Sequence, residues 1–256
     1  MSLELALLLF IGGMIAGVIN ALAGGSTFMT FPLFLYAGLP PTVANASNFV
    51  AVMPGNLMAT VAYRKKYLEI GKLCLPYVLW STLGGIIGSI LLIWTNEIVF
   101  GVIIPPLMGF ATIVYAVGPR FQKWLERKDI KIFAKGSIAS LALLFSFSVY
   151  GGYFGASYGV VLLAALTIMG HGAYHEANAL KNLIITVITI FGIFLFIAAG
   201  KISWPEALTM MSGAVIGGFF AIKFAQNISQ DWLRKAIIVL GCILTVIYAL
   251  RYWSWL

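Results

Sequence analysis

From Leu73 to Trp94 the chain runs twenty-two residues without a charged side chain, and comparable apolar runs recur from end to end. A helix needs about 20 apolar residues to cross the roughly 30 Å hydrocarbon core of a bilayer. Further stretches of this kind are Leu3 to Ala23, Thr42 to Tyr63, Glu97 to Val117, Ser137 to Gly155, Ala177 to Ala199, Trp204 to Ala225 and Trp232 to Trp253. Lipid must therefore be the solvent for most of this surface. Composition agrees, with 61% hydrophobic residues, 9% charged residues and a mean hydropathy of +1.00. A membrane β-barrel would instead show short strands of alternating polarity. The expected fold is an all-α polytopic membrane protein with eight full spans. Its expected address is the cell membrane as a multi-pass protein, in bacteria the inner membrane. The start, MSLELALLLF, has no basic segment before its apolar run, so the first run is read as a helix that stays rather than a cleaved leader.

The net charge of +8 does not call for a nucleic-acid partner. Lys and Arg gather where cytoplasmic loops are expected, at Arg64-Lys65-Lys66 and again between Gly118 and Gly136. Two crossings separate these clusters, which puts both on one side. Residues 119–136 read as a basic cytoplasmic linker between a first transmembrane repeat, 1–118, and a second, 137–256. Its amphipathic part is suited to the membrane surface.

Two irregular stretches break the regular plan. In the first, a Gly24-Gly25 break precedes a short apolar piece from Ser26 to Leu39, then Pro40-Pro41 and a helix beginning with Asn45, Ser47 and Asn48. Fourteen residues reach only about 21 Å as a helix, too short to cross, so the piece is a broken or re-entrant helix. In the second, Val160 to Met169 and the turn HGAYHE precede a helix with Asn178, Lys181 and Asn182. Ala44-Asn45-Ala46 and Ala177-Asn178-Ala179 match at an offset of 133 residues, and at that offset Asn48 meets Lys181. The chain therefore reads as two homologous halves. If the short pieces count as crossings, each half has an odd number of segments and the second copy is inverted; if they are re-entrant, the copies are parallel. An N-terminus with Glu4 and no Lys or Arg favours the inverted arrangement, a common transporter plan.

No catalytic constellation, metal-ligand spacing or cofactor motif emerges; Cys74 and Cys242 stand alone within apolar runs. The chemistry lies in polar groups at membrane depth. Lys181, one turn into an apolar helix, is costly there unless it meets a partner, a cavity or the interface. Snorkelling to the helix end is the ordinary alternative. Asn45, Ser47 and Asn48 suit either interhelical hydrogen bonding or a ligand. Helix starts after broken segments favour bound anions, and small residues let ligand approach the backbone. The candidate substrate-binding set is accordingly Asn20, Gly24, Gly25, Ser26, Asn45, Ser47, Asn48, Ser157, Asn178, Lys181 and Asn182. His171, His175 and Glu176 form a candidate proton relay, with a coupling proton as a possible partner. Gly84-Gly85 with Gly88, and Gly213 with Gly217-Gly218, read as close helix packing.

The pattern A-G-x-I-N-A-L-A-G-G-S, continued by Phe31-Pro32, Gly38-Leu39-Pro40-Pro41 and Ala44-Asn45-Ala46-Ser47-Asn48, resembles the first signature of the TauE/SafE sulfite exporter family, also called the 4-toluenesulfonate uptake permeases. Gly151-Gly152, Gly155, Gly159 and Ala177 to Lys181 resemble its second. The resemblance covers nearly the whole chain. It implies a non-enzymatic secondary transporter of small sulfur-containing anions, sulfite or organosulfonates, often in export. Ser26 stands where a third glycine usually follows Gly24-Gly25, and Ser157-Tyr158 interrupts the second signature, so the particular anion stays open. Both polar clusters are expected to line one midplane site, with the halves rocking about it. An anion channel, or a membrane scaffold without flux, are the alternative readings. Oligomeric state is left open.

Overall fold

The computed structural model describes residues 1–22, 25–127, 134–171, 174–224 and 230–254. Regular structure in these residues is helical: α1 (Leu3–Leu22), α2 (Thr27–Tyr36), α3 (Pro41–Ala62), α4 (Arg64–Ile70), α5 (Cys74–Trp94), α6 (Glu97–Arg127), α7 (Ile138–Tyr153), α8 (Tyr158–Ile168), α9 (Tyr174–Ala198), α10 (Trp204–Phe224) and α11 (Gln230–Trp253). Among the described residues, five helices are long and apolar enough to cross a bilayer by themselves: α1, α5, α6, α9 and α11. The expected short pieces are α2 and α8, at 10 and 11 residues, or about 15 Å each. The basic stretch expected as a loop is helical up to Arg127, because α6 continues through Pro119.

The burial pattern is that of a protein solvated by lipid. Leu7, Ile11 and Ile15 of α1, Leu79, Leu83, Ile87 and Leu91 of α5, and Val239, Ile243, Val246 and Leu250 of α11 point outward. These stripes at helical spacing form an apolar outer face. Polar Asn45, Ser47 and Asn48 are buried instead. This is a multi-pass membrane protein.

Local chemistry sets the short helices. At the end of α2, Leu39 N–H bonds to Phe34 O across Gly38, whose φ is 85°. A Cβ there would meet nothing within 4 Å, so glycine is required by the left-handed backbone and not by space. The end of α8 repeats this with Gly170 and His171 N–H to Leu166 O. Pro41 starts α3 at a position where a missing N–H costs nothing.

Helix directions follow from the contacts. Gly12 faces Leu33 and Asn20 accepts from Ser26, so α2 folds back along α1; Gly151 under the Tyr158 ring does the same for α8 on α7. Gly13 and Gly17 lie against the backbone of Met210, Ala214 and Gly218, making α1 and α10 parallel. Gly84 and Gly88 lie against Phe145, Val149 and Gly152, making α5 and α7 parallel. A Cβ on Gly17 would fall 2.1 Å from Ala214 O, and one on Gly88 2.1 Å from Val149 O. The glycine runs expected to pack helices closely do so. In contrast, α3 runs antiparallel to α9 and α6 antiparallel to α11, since Phe49 meets Gly192 while Thr60 meets Asn182, and Gly101 meets Tyr252 while Thr112 meets Gly241. The parallel packing thus occurs twice, with the roles of early and late helices exchanged, whereas α3 with α9 and α6 with α11 each pair once. The largest core cluster, including Phe28, Phe31, Phe34, Phe100, Phe154 and Tyr248, fills the space around α2 and the α7–α8 break. Its rings meet edge to face, as Phe31 does with Phe154 at 5.5 Å between centroids.

Candidate functional site

The α3–α9 crossing is the polar axis of the bundle. The Thr60 hydroxyl lies 2.9 Å from the Asn182 carbonyl and 2.7 Å from the Thr186 hydroxyl. Thr186 donates to the carbonyl of Asn56 at 2.9 Å. One turn on, Asn56 Nδ2 reaches Thr189 Oγ1 at 3.4 Å. Asn56 and Thr189 are themselves an offset-133 pair, which is the sequence signal that could have found this ladder. Pro54 lacks the N–H that would bond Val50 O, and Gly55 admits the Asn20 amide to 2.8 Å from where a Cβ would stand. Toward the Glu97 end the same crossing turns apolar, closed by Phe49 against Phe196 at 5.2 Å between centroids.

In the first half, the three polar residues of α3 find three different partners; Asn45 and Asn48, three apart, share a side of the helix, and Ser47 turns about 100° from Asn48. Asn45 Nδ2 donates to the carbonyl of Tyr153 at the end of α7, 2.9 Å away. Ser47 Oγ accepts the Ser203 N–H at 3.0 Å and holds the chain entering α10. Asn48 faces α2, where its Oδ1 accepts from Thr30 Oγ1 and its Nδ2 lies 3.4 Å from Thr27 Oγ1. Ser26 donates to Asn20 Oδ1 at 3.2 Å. Gly25, with φ 83°, packs under the Tyr115 ring. Gly24 lies outside the described residues.

In the second half, Lys181 Nζ donates to Asn178 Oδ1 at 2.9 Å. Among the described residues Lys181 enters no ion pair. Its stem runs past Gly159 of α8, whose missing side chain leaves the room; a Cβ there would lie 3.6 Å from Lys181 Cδ. Ser157 takes the left-handed conformation, φ 59°, and donates to the Ala111 carbonyl at 2.8 Å. It anchors the α7–α8 break to α6. Asn182 contributes its backbone carbonyl, to Thr60.

The two clusters do not meet. With Thr60 opposite Asn182 and Phe49 opposite Gly192, Asn48 and Lys181 are separated by about 18 Å along the crossing. The expectation of a single midplane site built from Asn45, Ser47, Asn48, Asn178, Lys181 and Asn182 is corrected on this point. Antiparallel packing carries equivalent positions to opposite ends, and the Thr60, Asn56, Thr186 and Thr189 ladder lies between them.

Each end of the bundle carries a charged closure. At one, His171 is fully buried, with Nδ1 2.5 Å from Glu176 Oε1 and Nε2 3.0 Å from the Tyr77 hydroxyl. Tyr77 accepts the Gly136 N–H at 3.1 Å, and Lys135 pairs with Glu176 at 2.9 Å. Burial holds the His171 pKa below its ordinary value, against the opposing pull of the Glu176 hydrogen bond. The neutral ring then donates from Nδ1–H to Glu176 and accepts at Nε2 from Tyr77. An open cleft beside it is lined by Lys66, Glu69, Ile70, Lys135 and Glu176. His175 is exposed. At the other end, Glu97 accepts the Thr42 N–H at 2.8 Å and the Thr42 hydroxyl, while Lys201 lies 3.2 Å from Thr42 Oγ1 and 3.5 Å from Glu97. A carboxylate at the first turn of α3 sits where the helix dipole favours it. Sequence reading missed this closure, since Glu97 and Lys201 stand more than a hundred residues apart in connectors without a motif.

The family profile described as sulfite exporter TauE/SafE matches residues 9–248. A protein of Haemophilus influenzae named probable membrane transporter protein is 25% identical over 246 residues, covering 95% of this chain and 94% of that protein. Probable membrane transporter protein ORF9 of a Sinorhizobium species is 25% identical over 248 residues, 96% of this chain and 93% of its own. Probable membrane transporter protein YfcA of Escherichia coli K12 is 25% identical over 239 residues, 93% and 87%. No solved structure matches.

Proposed function

Because the chain belongs to the sulfite exporter TauE/SafE family, we propose that it is a secondary transporter of small sulfur-containing anions, sulfite or an organosulfonate, moved outward. The observation that carries this reading is Lys181: an ammonium inside an apolar span whose partner is the neutral oxygen of Asn178. A cation at that depth costs roughly 2.5–3.5 kcal/mol on insertion scales, and one neutral hydrogen bond does not offset it. An oxyanion about 4 Å away would contribute roughly 4 kcal/mol at an effective dielectric of about 20. Lys181 is the charged anchor; the hydroxyls of Thr60, Thr186 and Thr189 and the amide of Asn56, bonded to one another and to backbone carbonyls, become uncharged donors to the anion by exchanging those partners. Sulfite and sulfonate oxygens are all acceptors, which suits a donor-rich track.

The repeats are read as inverted. The antiparallel pairing of α3 with α9 and of α6 with α11 supports a two-fold axis lying in the membrane plane, and residues 119–136 serve as the linker between copies. The basic termini of α4 and α6 set that end in the cytoplasm, with the Glu97–Lys201 end outside. His171 and Glu176 then face the cytoplasmic mouth as the relay for a coupling proton.

Reconstituted protein should carry labelled sulfite or a sulfonate with saturable kinetics, which separates a transporter from a channel. Lys181→Ala should remain folded and lose flux by tenfold or more, with Lys181→Arg retaining a part. Wild-type flux in Lys181→Ala would overturn the assignment.

A further inference from the structure

The two halves treat one equivalent oxygen differently. Asn45 and Asn178 stand at the same place in the repeat, 133 residues apart. In the second half, Oδ1 of Asn178 accepts from the Lys181 ammonium three residues on, at 2.9 Å. In the first half the residue three on is Asn48, whose amide is already committed to Thr30 and Thr27 of α2. Oδ1 of Asn45, in a fully buried residue, meets no donor among the described residues. Buried acceptors of this kind are ordinarily satisfied. The orientation of the amide is not arbitrary either. Nδ2 is fixed by its 2.9 Å bond to the Tyr153 carbonyl, and turning the amide over would set two oxygens against each other.

We infer that Asn45 Oδ1, with the carbonyl end of α7 beside it, is a binding site for a monovalent alkali cation, and that Lys181 is the tethered counterpart of that cation in the other half. Three features point to a cation. The equivalent acceptor is satisfied by a positive charge. Tyr153 is the last residue of α7, where outward-directed carbonyls form the negative end of the helix dipole. The left-handed Gly155 at the break, φ 75°, ends α7 there, its N–H bonding back to Tyr150 O and leaving the Tyr153 carbonyl to Asn45. The charge is single because Asn45 has no carboxylate among its partners; Glu97, on the same end of the bundle, is held by Thr42 and Lys201. Neutral amide and carbonyl oxygens suit a hard monovalent ion and leave a divalent one uncompensated. Broken-helix carbonyl ends are where transporters hold coupling ions.

The use of such an ion for coupling rests on the transporter reading, but its binding does not, so the two fail separately. The test is equilibrium binding of labelled Na⁺ to the purified full chain, alongside melting in Na⁺ against choline at equal ionic strength. Saturable one-to-one binding and a rise in melting temperature of several degrees are expected in wild type. Both should vanish in Asn45→Ala. Asn45→Asp adds a charge and should bind more tightly. Asn48→Lys, which rebuilds the second half's arrangement, should lose Na⁺ binding. If Asn48→Lys does not fold, the alanine and aspartate variants decide. No saturable binding in wild type, or binding unchanged in Asn45→Ala, would overturn the inference and leave Asn45 to a buried water.

Discussion

The two parallel crossings make a quantitative claim about where this protein tolerates one extra methyl group. At Gly17 a Cβ would stand 2.1 Å from Ala214 O and 2.8 Å from Gly218 N; at Gly88 it would stand 2.1 Å from Val149 O and 2.7 Å from Tyr153 N. Ordinary contact begins near 3.4 Å, so α1 must part from α10, and α5 from α7, by more than about 1 Å. Overpacking of this kind typically costs about 1–3 kcal/mol. For a chain of this length that corresponds to a melting temperature lowered by roughly 2–12 °C per site. Gly109→Ala is the control, because its Cβ would rest 3.4 Å from Thr245 Cγ2, an ordinary contact, and alanine is the better helix former. Melting in detergent should therefore rank Gly17→Ala and Gly88→Ala well below wild type, with Gly109→Ala level with it or above. Three variants that melt together would refute the backbone approach as the reason for these glycines.

Two further expectations concern the site. With its pKa held below the ordinary 6.5 by burial, His171 takes up a proton more readily in the unfolded chain. Its contribution is then complete above about pH 6.5 and is lost as pH falls through the lower folded value; melting followed from pH 7.5 to 5 should fall in wild type and run flatter, from a lower start, in His171→Gln. Thr186→Val removes the hydroxyl shared by Thr60 and Asn56; it should lower stability by about 0.6–1.7 kcal/mol and weaken sulfite affinity several-fold. Thr167→Val, whose hydroxyl bonds within its own helix to Leu163 O, should leave affinity unchanged, and equal affinities in the two variants would remove the ladder from the site.

Much of the architecture was legible because lipid solvation writes itself into composition. The apolar runs, the short pieces α2 and α8, the glycine crossings and the offset of 133 all follow from residues read in order. The site was less legible for a specific reason. Periodicity says that Asn45 and Asn48 share one side of α3 and that Asn178 and Lys181 share one side of α9. It does not say in which direction the two helices cross. Parallel crossing would have brought Asn48 beside Lys181; antiparallel crossing sets them about 18 Å apart and puts Asn56 and Thr189 at the centre. Ser47 likewise follows the others in sequence but turns a different way, to Ser203. The contacts of Glu97 with Lys201, and of His171 with Tyr77, each join a connector residue to a helix residue about a hundred positions away, with no local pattern to announce the pair.

The crossings also decide what can move against what. Rocking of one sequence half against the other would have to shear α1 from α10 and α5 from α7, where backbones touch with no side chain between them. These are the contacts least able to slide. The interfaces better suited to motion are α3 with α9 and α6 with α11, where side chains of Thr60, Thr186, Asn56 and Thr189 meet across the axis and can exchange partners. The units that move as bodies are then mixed: α1, α2 and α3 with α10 and α11, against α7, α8 and α9 with α5 and α6. Each body takes its broken helix from one side of residues 119–136 and its outer pair from the other. The charged closures fit this division, since Glu97 of one body holds Thr42 of the other, and Glu176 and His171 are tied through Tyr77 to the end of the linker. Opening at the Glu97 end must break a bond between bodies, whereas the His171 network lies within one. The two mouths are therefore held shut by different chemistry, a helix N-terminus and its carboxylate on one side and a neutral imidazole on the other. Burial holds the proton response of that imidazole below its ordinary range.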